Sequence, residues 1–97
     1  MPVTASQRRY LRELAHPLKP VLLLGAKGVT APLLAELDVA LDHHELIKVR
    51  LSGDRAERAN QLEQLLASSH AEAVQSIGHV AALYRANRDK PKLALPR

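Results

Sequence analysis

Cysteine, phenylalanine and tryptophan are all absent from this 97-residue chain, and Tyr10 and Tyr84 are its only tyrosines. Without cysteine there can be no disulfide and no thiolate zinc site, a composition compatible with a reducing compartment. Without aromatic residues a protein has little with which to stack on exposed bases, so recognition by an aromatic platform is excluded as a main mode. Long apolar runs are missing too: no stretch approaches the roughly 20 residues needed to span a bilayer. The segment from Met1 to Tyr10 is polar and basic, with no apolar core of a signal peptide. The expectation is a soluble, cytoplasmic protein that does not engage membranes.

Hydrophobic residues nevertheless make up 46% of the chain, enough for one modest core in a single domain spanning residues 1–97. The formal charge is +4, and it is unevenly placed. Residues 1–28 carry Arg8, Arg9, Arg12, Lys19 and Lys27 against Glu13, a net of +4. Residues 85–97 carry Arg85, Arg88, Lys90, Lys92 and Arg97 against Asp89, again +4. The middle, 29–84, holds four basic and eight acidic residues, a net of −4. Basic ends around an acidic centre suit a polyanion-binding surface built from both termini, and equally suit ordinary solubilising charge.

Helix signals recur along the chain. Thr4 and Gln7 form a capping box, and Tyr10, Leu11, Leu14 and Ala15 follow at helical spacing. This helix ends before Pro17, because a residue ahead of proline is pushed out of the α region. Val21 to Leu24 is a continuous apolar run, which predicts a strand buried on both faces. Thr30 caps a second helix whose first turn accepts Pro32; Leu33, Leu34, Leu37, Ala40 and Leu41 form its apolar face, and His43-His44 mark its end. Leu46 to Leu51 alternates, with Ile47, Val49 and Leu51 inward and Lys48 and Arg50 on the opposite face. Asp54 and Glu57 cap a third helix that buries Ala59, Leu62, Leu65 and Leu66. Ala73–Ile77 and Val80–Arg85 read as strands joined by a Gly78-His79 turn with glycine at its first central position. Residues 86–97 are basic and proline-containing, and read as an irregular or loosely docked tail.

The predicted order is α-β-α-β-α-β-β, an α/β domain with a four-stranded mixed sheet and helices packed on it. Each strand–helix–strand unit links parallel strands, and the closing hairpin adds an antiparallel one.

Gly25-Ala26-Lys27-Gly28 lies between a strand and a helix N-terminus. Glycines let backbone turn sharply and approach a ligand, and a helix start offers unpaired N–H groups that favour an anion. Lys27 adds a mobile cation. By itself a G-x-x-G is a weak signal, and it reads first as a tight connection. It is not a nucleotide-triphosphate loop, since Gly28 is followed by Val29-Thr30 rather than Lys-Ser/Thr, and it lacks the third glycine of a dinucleotide fingerprint.

Other chemistries find little support. His43 and His44 point in different directions and have no ligating partner at metal-site spacing. His16 reads as packing or a helix stop, with a phosphate contact as the alternative, and His79 as a turn residue. Ser68, Ser69 and His70 are adjacent in sequence, which is not triad geometry. Glu36, Asp38, Asp42, Glu57 and Glu63 fall on helix surfaces, where solvation explains them. No enzyme activity, metal or cofactor is expected.

Three ordered segments together are more specific than a glycine pair. His16-Pro17-Leu18-Lys19-Pro20, Leu24-Gly25-Ala26-Lys27-Gly28 and His43-His44-Glu45-Leu46-Ile47-Lys48-Val49 closely resemble the CRM domain family (chloroplast RNA splicing and ribosome maturation), most of all its bacterial stand-alone, YhbY-type members. The resemblance covers essentially the whole chain. It implies a fold akin to the C-terminal domain of translation initiation factor three and a G-x-x-G loop that contacts RNA, as in KH domains. It also implies association with ribosomal RNA in precursors of the large ribosomal subunit. The loop maps onto Gly25 and Gly28, and the family's basic strand position onto Lys48; a role for Lys27 is an inference from its place in the loop, where Ala26 and Lys27 occupy variable positions.

The residues expected to carry RNA binding are therefore Gly25, Ala26, Lys27 and Gly28, with counter-charge from Lys19, Lys48, Arg50, Arg8, Arg9 and Arg12. With so few aromatics, contacts to phosphate and sugar should dominate; Tyr84 reads either as one stacking residue or as sheet packing. The protein is expected to act as a monomer. The alternative is an adaptor whose basic ends engage an acidic protein partner.

Overall fold

Each helix begins on a side-chain cap, and the computed structural model, which describes residues 2–87 and 89–96, shows why those starts are fixed. Helix α1 spans Ala5–Ala15. The Gln7 amide donates to Thr4 Oγ1 (3.2 Å) and the Thr4 amide to Gln7 Oε1 (2.9 Å), the reciprocal box read from the sequence. Helix α2 spans Ala31–His44 behind Thr30, whose hydroxyl accepts from the Leu33 amide. Helix α3 spans Arg55–Ser69, and Asp54 and Glu57 repeat the box at its start. Strands β1 (Pro20–Leu23), β2 (Leu46–Arg50), β3 (Glu72–Ile77) and β4 (Val80–Tyr84) complete the described elements in the expected order. Several bounds differ by a residue from the sequence reading: β1 begins at Pro20, β3 begins at Glu72, and β4 stops at Tyr84.

The strands form one sheet in the order β1-β2-β4-β3. β1 pairs parallel to β2, and β4 runs antiparallel to both β2 and β3. β3 is thus parallel to β2 without touching it, because the last strand in the chain is inserted between them. Gly78 takes φ +58° in the hairpin turn, as its position requires.

The two sheet faces carry separate cores. On one, Leu37 and Leu41 of α2 and Leu65 of α3 pack with Leu22, Ile47, Val49 and Leu83. On the other, Leu11 and Ala15 of α1 pack with Leu46, Val74, Ala82 and Tyr84. α1 touches β2, β3 and β4 but is too short to roof the whole face.

That half-roof corrects the expectation for the first strand. Leu22 and Leu24 are buried, but Val21 is 51% and Leu23 66% exposed. β1 is an edge strand with one open face; a four-residue apolar run does not distinguish that from full burial. A second correction concerns α3. Leu65 is buried, and Leu62 and Leu66 pack partly buried against the core, as expected. Ala59, however, is exposed, and the buried stripe is Gln61, Leu65 and Ser69, spaced four residues apart on one face.

The described residues of the tail form no helix or strand, and they are firmly docked. Glu45, fully buried at φ +62° between α2 and β2, accepts hydrogen bonds from the amides of Asn87 (2.6 Å), Lys92 (2.6 Å) and Leu93 (2.8 Å). Lys92 Nζ also donates to the His43 carbonyl, while Leu93 and Leu95 pack against the α1 core. Arg88 and Arg97, counted above in the basic tail, lie outside the described residues.

Candidate nucleic-acid interface

The glycine loop is a closed turn at the C-terminal end of β1. The Leu24 amide still donates to the Arg50 carbonyl (2.9 Å), holding the chain to the sheet until the loop begins. The Gly28 amide then donates back to the Gly25 carbonyl (3.0 Å), and Gly28 takes φ +67°, a left-handed conformation suited to glycine. Gly25, Ala26 and Lys27 are exposed.

A brace below the loop was not anticipated. Ser52 Oγ donates to the Gly25 carbonyl (3.0 Å), and the buried Gln61 amide grips Ser52 twice: Oε1 accepts from its backbone N–H (2.9 Å) and Nε2 donates to its hydroxyl (3.0 Å). A Cβ at Gly28 would lie 3.6 Å from Gln61 Nε2, an ordinary contact. The loop is thereby tied to α3. The only trace of this in the sequence was a polar residue in phase with Leu65, one turn further on.

The helix start contributes less than expected. In the first turn of α2, Pro32 has no N–H and that of Leu33 is taken by Thr30 Oγ1. Of the first three positions, Ala31 alone retains a donor for an anion.

The candidate cations separate into groups. Lys27 stands on the loop. Lys48 and Arg50 share the α1-side face of the sheet; Lys48 Nζ donates to the His16 carbonyl (3.2 Å), and Arg50 is exposed. Lys19, Arg9 and Arg12 are exposed on α1 and the segment after it. Arg8 is committed elsewhere, its guanidinium donating to the Ala73 carbonyl (2.7 Å). The described tail cations stand apart from the glycine loop. The tail docks at the start of β2 and the loop stands beyond its end, about 16 Å away along a five-residue strand. Arg85 is occupied as well, paired with Asp38 (2.8 Å) and Asp42 (3.0 Å).

The larger groove lies at the tail end, lined by residues including Asp42, His70, Glu72 and Tyr84. Tyr84 is 7% exposed, so it serves sheet packing and is not a stacking platform. Burial, followed by the charges of Glu45 and then Glu72, raises its phenol above the ordinary value of 10.0. Among the described residues, no cluster of three or more acidic or histidine side chains is placed to hold a metal ion, and no helix is long and apolar enough to cross a membrane.

Fold and loop together define a class: small α/β domains that present a glycine turn where a parallel strand meets a helix. Within that class, the CRS1 / YhbY (CRM) domain profile matches residues 3–85, and the chain belongs to that family. It is 42% identical over 96 residues to an RNA-binding protein of Haemophilus influenzae, covering 98% of this chain and 96% of the relative. A Pseudomonas aeruginosa relative described as a probable RNA-binding protein is 44% identical over 88 residues, covering 90% of this chain and 85% of its own length. A Staphylococcus aureus protein of known solution structure, described as a candidate RNA binder, superposes with a TM-score of 0.82 at 32% identity, covering 98% of this chain and all of that one.

Proposed function

We propose that the protein is a non-enzymatic RNA-binding module that grips the phosphate backbone through Gly25–Gly28. Lys27, Lys48 and Arg50 supply counter-charge, with Lys19, Arg9 and Arg12 at its margin. Its target is structured ribosomal RNA during assembly of the large ribosomal subunit, where it acts as a cytoplasmic monomer. The observation that carries this reading is the exposed glycine turn, closed on itself and braced through Ser52 and Gln61, in a family whose members are described as RNA-binding proteins. The same bonds that satisfy Gln61 and Ser52 in the fold also fix the loop backbone, and a phosphate site gains preorganisation from that. Arg8 leaves the set proposed from the sequence, because it is bonded to β3.

Sucrose-gradient sedimentation of lysate, with and without ribonuclease, tests the reading. Co-migration with large-subunit precursors, lost on ribonuclease treatment or at high salt, supports it. Sedimentation as free protein at low salt would remove the ribosomal assignment. In direct titrations, neutralising about five phosphates gives a slope of log affinity against log salt of roughly −3.5 to −4.5. A salt-insensitive complex would sink the backbone mechanism.

A further inference from the structure

The α1-side face of the sheet is built in cross-strand rows. The row Leu46–Tyr84–Glu72 lies under or beside α1. The next, Pro20–Lys48–Ala82–Gln75, crosses all four strands and, with Leu18, floors an open groove of about 310 Å³. The outermost row is Leu23–Arg50–Val80–Ile77. Leu23 and Ile77 are each 66% exposed, at opposite ends of that row, and Gly25 follows two residues after Leu23.

Each of the two outer rows places a cation on β2, Lys48 between Pro20 and Ala82 and Arg50 between Leu23 and Val80. Lone exposed leucines need no explanation, but an apolar floor interrupted in the middle by Lys48 and Arg50 has a specific complement. A hydrocarbon-faced protein partner would leave those two charges buried and unpaired, which is costly. A regular duplex keeps its base faces stacked inside and offers the apolar side chains little. An unpaired strand offers both parts at once: flat, weakly polar bases and riboses for the aliphatic floor, and phosphates for the cations.

We infer that the uncovered half of this sheet face seats an unpaired stretch of RNA running from the groove to the glycine loop. The inference rests on the proposed phosphate grip and adds the conformation of the RNA to it. The loop holds a phosphate at one end, Arg50 and Lys48 hold the next ones, and the bases lie against Leu23, Val80 and Ile77 without aromatic stacking. The face therefore selects single-stranded over duplex RNA.

The test uses the full chain and two fluorescent probes, a short mixed-sequence RNA and the same RNA annealed to its complement, read by anisotropy. Wild type should bind the unpaired probe more tightly than the duplex. Leu23→Ser with Ile77→Ser should weaken the unpaired complex roughly tenfold and leave the duplex complex and the salt slope unchanged. Both side chains are largely in solvent, so the fold should persist, which circular dichroism checks. Val39→Ser, equally accessible at 57% exposure but on α2, should change neither complex.

If the double variant binds the unpaired probe like wild type while Gly25→Val weakens it, the phosphate grip stands and the seat does not. If wild type binds neither probe, both readings fail. If sedimentation shows a dimer that the double variant dissolves, a second copy occupies this face and the inference is overturned.

Discussion

Gly25 and Gly28 look interchangeable in the motif but are not in the structure. Gly28 sits at φ +67°, so any other residue there is strained by about 1–2 kcal/mol wherever its side chain points. Gly25 is not left-handed, and nothing lies within 4 Å of a Cβ built on it. Gly25→Val should therefore hold stability within about 0.5 kcal/mol in urea melts and weaken RNA binding about tenfold. Retained affinity would reduce the loop to a turn. Changing both glycines at once mixes strain with function. Tyr84 gives a second residue-scale test. Its phenol is raised, so the folded state keeps a proton that the unfolded chain releases near 10.0. The associated stability is present in full below that pH and is lost as the pH climbs toward the folded value. Denaturation of wild type and Tyr84→Phe at stepped alkaline pH should show a steeper fall for wild type; parallel curves would show that burial does not hold the proton.

Among the elements, the caps were the most legible features. Thr4 with Gln7, Thr30, and Asp54 with Glu57 lie where their spacing placed them, because a cap is a local interaction among residues three apart. Asp54→Ala should cost about 1 kcal/mol in thermal or chemical melts. What could not be read depended on distant contacts. Gln61 is buried because it holds Ser52, and Leu23 is exposed because α1 stops short of it. Nothing in the sequence singles out Glu45 chemically; only docking of the tail reveals it as the acceptor of three backbone amides. Glu45→Ala should destabilise by about 2–4 kcal/mol, since charge-assisted bonds are lost and amides are left unpaired. Loss of protease resistance in the tail should accompany it. An unchanged melt would show that the apolar contacts of Leu93 and Leu95 suffice.

Across the whole molecule, the sequence showed a glycine turn between a strand and a helix, where the fold has it, but it could not distribute the charge. The two basic ends looked equivalent by count. In the fold, Lys90 and Lys92 belong to the tail end of the sheet, while Lys48 lines the open groove and Arg50 lies in the next row toward the loop. Lys48→Ala with Arg50→Ala should make the salt slope shallower by roughly 1.4–1.8, the amount two phosphate contacts contribute. Lys90→Ala with Lys92→Ala should leave it nearly unchanged. Equal effects from the two pairs would mean that RNA wraps the entire domain and is not confined to one face.

β4 is the last strand in sequence yet lies in the middle of the sheet. Residues 1–71 can assemble the β1–α2–β2 unit as they leave the ribosome, but the rows that run through Val80 and Ala82 do not exist until β4 enters between β2 and β3. A growing chain therefore displays its glycine loop before it owns a continuous face beside it. On the proposed seat, a chain interrupted short of β4 carries the loop without the floor beside it, and its hold on RNA would be reduced to the phosphate grip alone.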